Sequence, residues 1–269
     1  MSDKSKQPSS LAITKKVAEL LERGDAAVVI TVARSENAGA KLVIDQAGNA
    51  AGSFGELDSF VVPEVARFLQ SRDETRLVAV KDFAPDFPAA AETFLLFERL
   101  QPSPRLVVCG AGHVGASLAK LGAFLGYQTT LIDDRAEFLQ RERFVGEQIE
   151  LVVASDWSST VRDVIGNGRG VSVAVVTRGH SEDEQCMRAV IETRPDYVGL
   201  IGSKRRTSIV IDRLREAGAS EEELRKIRAP IGLDIGAVSP EEVALAIVAE
   251  IVAERHGAAG GSLSAWRRK

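Results

Sequence analysis

Residues 105–134 read as an apolar strand, a glycine-punctuated turn, a helix and a second strand ending on two aspartates. Arg105-Leu-Val-Val-Cys109 has the composition of a short buried strand. It runs into Gly110-Ala-Gly112-His-Val-Gly115, a G-x-G-x-x-G motif. The segment from Ala116 to Leu125 is predicted to be a helix closed by Gly126, and Gln128 to Ile132 the second strand, followed by Asp133-Asp134. A lone G-x-G-x-x-G is weak evidence, but the strand before it, the helix after it and the acid about 20 residues on complete a dinucleotide-binding arrangement. Each glycine has a distinct expected use. Gly110 permits the tight turn, Gly112 lets backbone approach a diphosphate, and Gly115 lets helix pack on strand. The helix start offers unpaired N–H groups and the positive end of a dipole to an anion. Asp133 can accept hydrogen bonds from a ribose diol. The competing reading is that the three glycines serve packing alone.

The same alternation continues downstream. Glu150–Ala154, Val171–Thr177 and Tyr197–Ile201 read as strands, and Val161–Ile165 falls in a helix. Val171–Thr177 is apolar on both faces, as a central parallel strand must be. Strands alternating with helices imply a doubly wound parallel sheet, whose ligands bind beyond the carboxyl ends of the strands. The residues just after each strand are therefore candidates. They are Arg178, Gly179 and His180, then Gly202, Ser203 and Lys204, then Gly232 and Asp234 within Pro230–Gly236. Gly202-Ser-Lys-Arg-Arg206 joins flexible backbone, a hydroxyl and cations at a helix start, which suits an anion; a solvated basic helix face is the plainer reading. His180 is a candidate proton shuttle or ligand contact, against a loop histidine bonded to backbone. His113 either shapes the ligand crevice or packs at the helix start. Ser181-Glu-Asp-Glu184, Ser220–Glu223 and Ser239-Pro-Glu-Glu242 are predicted capping boxes.

The first hundred residues differ. Residues 1–10 are polar, with disorder expected. Leu11–Arg23 reads as a helix with Leu11, Val17, Leu20 and Leu21 on one face, Ser10 as cap and Gly24 as stop. Ala26–Ala33, Lys41–Asp45, Thr75–Val80 and Phe94–Leu100 read as hairpin-like strands, and Asp58–Gln70 as a helix. Gln101-Pro-Ser-Pro104 then breaks the pattern. The fold class expected is α/β, a Rossmann-like parallel-sheet domain over 105–269 preceded by a smaller α+β domain over 1–101, with a linker over 102–104.

Composition narrows the chemistry. Two cysteines, Cys109 and Cys186, and three histidines, His113, His180 and His256, are too few and too scattered for a structural zinc site, so no metal ligands are assigned. No catalytic triad is visible either, and no catalytic residue is assigned. A formal net charge of −4 lacks the basic excess of a nucleic-acid partner. No apolar run reaches the roughly 18 residues of a membrane span, and the polar N-terminus lacks a signal-peptide core. A soluble cytoplasmic protein is the default. Cys109 and Cys186 read as buried, inert thiols, and no role is expected of His256.

Four segments carry a family resemblance: LVVCGAGHVG (106–115), TRGHSEDE (177–184), YVGLIGSKRR (197–206) and APIGLDIGAVSPEEVALAIVAEIVAER (229–255). In order and spacing the chain resembles the XdhC/CoxI family, accessory proteins for molybdenum hydroxylases such as xanthine dehydrogenase and carbon monoxide dehydrogenase. The N-terminal likeness is thinner, resting on AAVVITVA, Gly39-Ala-Lys41 and the Gly-Ser-x-Gly step at 52–55. Here the chain departs from the family: it has no Gly-Ser-x-Pro-Arg segment after the first strand and no cysteine in residues 1–108, and it carries Arg228 where the family often has histidine. The resemblance implies a chaperone that binds molybdenum cofactor, as molybdopterin or its dinucleotide form. It would protect the cofactor during sulfuration and pass it to an apo-hydroxylase. Implied partners are that client enzyme, a cysteine desulfurase and a second copy of the chain. The phosphate or diphosphate would lie on Gly110–Gly115, with Gly202, Ser203 and Lys204 adding contacts. The alternative is an NAD(P)-dependent oxidoreductase using the same glycine loop and Asp133. A third reading is a nucleotide-sensing domain acting through a partner.

Overall fold

The computed structural model describes residues 10–71 and 73–264. Residues 1–9 and the Ser10 side chain lie outside the described residues, so the expectations of disorder and of a Ser10 cap fall there too. The chain divides into two units, Met1–Pro102 and Ser103–Lys269.

The first unit contains α1 (Ser10–Glu22), β1 (Ala27–Arg34), β2 (Lys41–Asp45), β3 (Ala50–Gly52), α2 (Asp58–Gln70), β4 (Thr75–Ala79) and β5 (Phe94–Leu100). Its sheet has the order β3-β2-β1-β5-β4 and is antiparallel throughout. On α1 the buried face runs through Ile13 and Leu20 with Val17 half-buried, and Leu11 is exposed, against the expectation. Helix α2 buries Val61, Val65 and Phe68 on the other face of the sheet, where Phe68 meets Phe97 at 5.7 Å between ring centres. Arg99 of β5 donates to the Phe68 and Ser71 carbonyls at 2.8 and 3.0 Å, tying the strand to the end of α2, where the Ser71 N–H and hydroxyl also bond the Phe68 carbonyl. The short edge strand β3 has no alternating pattern to announce it. It pairs with β2 where Gly52, at φ +98°, passes so close to Lys41 that a Cβ would lie 2.4 Å from its carbonyl oxygen.

The second unit contains β6 (Arg105–Cys109), α3 (His113–Phe124), β7 (Gln128–Asp133), β8 (Ile149–Val153), α4 (Trp157–Ile165), β9 (Val171–Val175), α5 (His180–Thr193), β10 (Tyr197–Leu200), α6 (Lys204–Glu216), α7 (Glu221–Arg225), β11 (Ile227–Arg228) and α8 (Pro240–Arg255). All its strand pairs are parallel, in the order β8-β7-β6-β9-β10-β11. This is the doubly wound Rossmann order, which reverses direction between β6 and β9. Period-2 alternation supplies both faces. Leu106 and Val108 pack with α3 and α8, while Val107 and Cys109 pack with α4, α5 and α6.

Helix boundaries follow capping chemistry more closely than pattern. Ser220 and Ser239 form two of the three expected capping boxes, with Glu223 and Glu242. The expected box at Ser181 does not form. Helix α5 starts one residue earlier, at His180, with Gly179 as N-cap, so Ser181 lies inside its first turn. Helix α3 likewise starts at His113 rather than Ala116, because Gly112 is the cap and Gly115 already belongs to the helix.

Candidate functional site

The ends of β6, β7, β9 and β10 bring the predicted loops to one edge of the sheet, with the reversal of strand order between β6 and β9. The glycine loop separates its three glycines by cause. Gly110 has φ +113°, and a Cβ there would stand 2.6 Å from the Val176 carbonyl oxygen, at the end of β9. At Gly115 a Cβ would lie 1.8 Å from the Gly110 carbonyl oxygen. Both positions are closed to any side chain by the protein itself. Gly112 has an ordinary φ of −62°, and a Cβ there would meet nothing within 4 Å. The space in front of Gly112, at the N-terminus of α3, is open. Here the packing account of the motif covers two glycines and leaves one unexplained. His113 follows at the helix start and is exposed.

Asp133 does not point a vacant carboxylate at a ribose. It is 1% exposed. One oxygen accepts from the Ala111 N–H at 2.6 Å and the Arg135 guanidinium at 3.0 Å; the other accepts from the Arg135 N–H at 3.0 Å and its Nε at 2.9 Å. Burial opposes its ionisation, but these donors outweigh burial and hold the carboxyl below the usual range. Its visible work is to fix the glycine loop through Ala111. Asp134, exposed, is the acid nearer solvent.

Arg178, after β9, reaches Asp134, after β7, with two guanidinium nitrogens at 2.9 and 3.2 Å. It also lies 3.5 Å from Glu182, whose carboxylate sits where a Gly179 Cβ would be. His180 is the exposed first residue of α5. Beneath lies a second, buried pair. Asp183 is 0% exposed and accepts from the Thr177 hydroxyl at 2.5 Å and from Arg206 at 2.6 and 3.0 Å. Burial pushes its carboxyl up, and the Thr177 and Arg206 bonds only partly counter that. Arg206 also donates to the Thr177 carbonyl at 3.3 Å, tying the loop after β10 to the loop after β9.

Gly202 adopts φ +147° against the Arg206 stem, and Ser203 caps α6 by accepting the Arg206 N–H at 3.2 Å. That hydroxyl therefore already serves the helix, while Lys204 and Arg205 are exposed. Gly232 and Asp234 sit farther out, in a loop joined to β10 through the Ile231 N–H to the Leu200 carbonyl at 3.0 Å. The Gly232 N–H donates to Glu250 at 2.9 Å, Glu250 also accepts from the Tyr197 hydroxyl, and Asp234 is exposed. Cys109 and Cys186 are buried neighbours. Burial, followed by the contact with Cys109, pushes the Cys186 thiol well up, so it stays protonated.

Residues 106–251 match the family described as the XdhC Rossmann domain. The chain belongs to the XdhC family. A protein of Escherichia coli K12 called YqeB, carrying no assigned function, is 33% identical over 159 residues, which are 59% of this chain and 28% of that one. A Bacillus subtilis 168 protein named as a probable xanthine dehydrogenase subunit is 27% identical over 177 residues, 64% of this chain and 48% of that one. The E. coli K12 molybdenum cofactor insertion chaperone PaoD is 26% identical over 155 residues, 58% of this chain and 41% of that one. The chain thus spans less than half the length of these curated relatives. A solved structure described as a xanthine dehydrogenase from Bacillus halodurans shares the fold across 93% of this chain and 99% of its own, with a TM-score of 0.51 at 16% identity.

Several residues that build this candidate site escaped the sequence reading. Asp134 was visible only as the second acid at a strand end, Glu182, Asp183 and Arg206 only as helix-start or charged-face residues, and Glu250 only as a break in an apolar run; Arg135 gave no signal. Glu250 carried a usable signal, since a lone acid in a buried helix stretch needs partners. A cavity of about 900 Å³ opens elsewhere, at the amino ends of β6 and β7, lined by residues including Arg105, Lys120, Tyr127, Gln128 and Glu150. It includes none of the candidate residues. Among the described residues no three His, Cys, Asp or Glu side chains form a group that could hold a metal ion, and no helix is long and apolar enough to cross a membrane.

Proposed function

We propose that this chain binds the molybdenum cofactor and passes it to a molybdenum hydroxylase of the xanthine dehydrogenase or carbon monoxide dehydrogenase type. The observation that carries this reading is the open space before Gly112, at the start of α3 and at the reversal of strand order. A helix N-terminus with backbone free to approach suits a phosphate or diphosphate. Arg178, His180, Lys204 and His113 are among the exposed or partly exposed basic groups on the loops at this edge. The residues present fit the phosphorylated tail of the group, and among the described residues no three His, Cys, Asp or Glu side chains gather where they could hold its metal. When bound, the cofactor brings its own molybdenum chemistry to the client enzyme. This chain's residues hold the tail: Gly110 and Gly115 shape the turn, Gly112 leaves room, and Asp133 fixes the Ala111 N–H. The names of PaoD and of the B. subtilis relative support a cofactor-handling role.

The finer parts of the proposal are protection of the cofactor during sulfuration, a cysteine desulfurase as sulfur donor, a homodimer and a cytoplasmic location. Gly202, Gly179, Gly232 and Asp234 belong to the proposal as loop positions flanking the tail. Purification from cells making molybdenum cofactor, followed by oxidation and pterin fluorescence, tests it. The expected result is a stoichiometric pterin that Gly112→Asp removes, because a carboxylate would occupy the anion's space. Recovery of NAD(H) without pterin would overturn it in favour of a nicotinamide enzyme. The occupied state of Asp133 speaks against that enzyme's usual ribose contact.

A further inference from the structure

The Arg178–Asp134 pair joins the loop after β9 to the loop after β7, and β6 lies between those two strands. Neighbouring strands are about 4.8 Å apart, so the pair spans roughly 10 Å across the end of β6, where the glycine loop begins. Both side chains are accessible, Arg178 at 47% and Asp134 at 31%. The pair is not alone at its ends. Arg135 lies 3.8 Å from Asp134, and Glu182 lies 3.5 Å from Arg178. Arg178 is thus held by two carboxylates of its own chain, beside the helix start that attracts anions.

The contrast with Arg206 defines what this pair can do. Arg206 binds Asp183, which has no solvent contact, and a carbonyl of the same loop. Separating that pair would leave a bare buried charge. Separating Arg178 from Asp134 leaves both charges in water, and exposed pairs of this kind are held weakly. Of the two arginines, only Arg178 can be given up to an incoming anion without stranding a buried charge.

Resting on the reading of this crevice as a phosphate site, we propose that Asp134 is a competitor built into it: in the ligand-free protein it holds Arg178 across the glycine loop, and the ligand's phosphate binds by taking Arg178 from it. Asp134 keeps capture reversible, because it reclaims Arg178 as the ligand leaves. A protein that hands over its ligand needs that property.

The probe is an oxidised, fluorescent pterin phosphate, compared with the same pterin after phosphatase treatment, bound to the full-length chain and followed by anisotropy. Exchange predicts an unusual direction. Asp134→Asn binds the phosphorylated probe about fivefold tighter at low salt, with the gain shrinking as salt rises. Arg178→Gln loses most of the phosphate-dependent affinity, and in its background Asp134→Asn has much less effect. The dephosphorylated probe distinguishes none of the variants. If Asp134 merely braced the loop, Asp134→Asn would bind more weakly, and that result overturns the proposal. Unchanged affinity in Asp134→Asn, with wild type still binding, overturns the exchange and leaves the phosphate site standing. No binding of the phosphorylated probe by wild type or Asp134→Asn overturns the site itself and the exchange with it. Circular dichroism of each variant separates these outcomes from misfolding.

Discussion

Gly112 and Gly115 belong to one motif, yet removing them should have opposite consequences. A Cβ at Gly115 collides with the Gly110 carbonyl oxygen, an atom of backbone that cannot swing aside. Gly115→Ala should cost several kcal/mol or prevent folding of the second unit, as overpacking does when nothing can yield. Gly112→Ala places its methyl in open space with an acceptable φ, so the thermal midpoint should move by no more than a cap substitution of about 1 kcal/mol allows. Its pterin content should nonetheless fall, since the methyl stands where the phosphate would. Calorimetry and pterin fluorescence on the same preparations check both halves. The motif and its strand–helix setting were readable from sequence. The division of labour among its glycines was not, because it depends on which carbonyls the fold brings near. Asp133 shows the same limit. Its place at a strand end was correctly read, but Arg135, two residues on, takes the carboxylate that was expected to face a ribose. That pairing carries its own test. A carboxyl held below its ordinary value supports folding above pH about 3.8, and the support disappears as pH falls through its lowered value. Asp133→Asn should cost about 2 kcal/mol at neutral pH and less as the pH drops below 4. Urea unfolding across that range would show the two curves converging, and parallel curves would refute the assignment.

At the scale of elements, the crevice is held by two arginine–aspartate pairs that differ in burial, and burial decides their energetic weight. Asp183→Ala strands Arg206 among α5, α6 and the end of β9, where its side chain is 25% exposed. A loss of about 3 kcal/mol is expected, the low end of what breaking a buried pair costs. Arg178→Ala should change stability by less than about 1 kcal/mol, because both ends of its pair are wet. Denaturant midpoints of the two variants, with unchanged slopes, provide the comparison. The sequence pattern pointed the other way here. Ser181-Glu-Asp-Glu184 has the spelling of a capping box, which would assign Glu184 to the helix start. In the fold Gly179 is the cap, Asp183 turns inward to Thr177 and Arg206, and Glu184 pairs outward with Arg188 and Arg213. The spelling is local, whereas the partner that claims Asp183 comes from 23 residues away. Ser220 and Ser239 kept their boxes because no distant group competes for Glu223 or Glu242 as strongly as the backbone does.

At the scale of the molecule, the chain has two separate sets of cores. Residues such as Val28, Phe68 and Phe97 pack within the first unit, and Leu106, Val173 and Ile247 within the second. Alternation of strands and helices made the second unit's parallel sheet legible from sequence. The first unit's sheet order was not, because antiparallel partners follow from register and turn geometry that short strands do not encode uniquely. Two self-sufficient cores imply that damage to one need not reach the other. Phe97 is 1% exposed and packs on Phe68, so Phe97→Ala should destabilise the first unit by about 3–5 kcal/mol. The glycine loop, Asp133 and both arginine pairs all lie in the second unit, which the substitution does not touch. The variant should therefore show an early unfolding transition for residues of α2, β1 and β5 in hydrogen exchange, while the strands β6, β7 and β9 keep their protection and the preparation keeps its bound pterin. If instead protection of β6 falls together with that of β1, the two cores unfold as one cooperative unit. If protection of β6 holds but the pterin is lost, the first unit contributes to the site directly, and its role would then lie in holding the ligand.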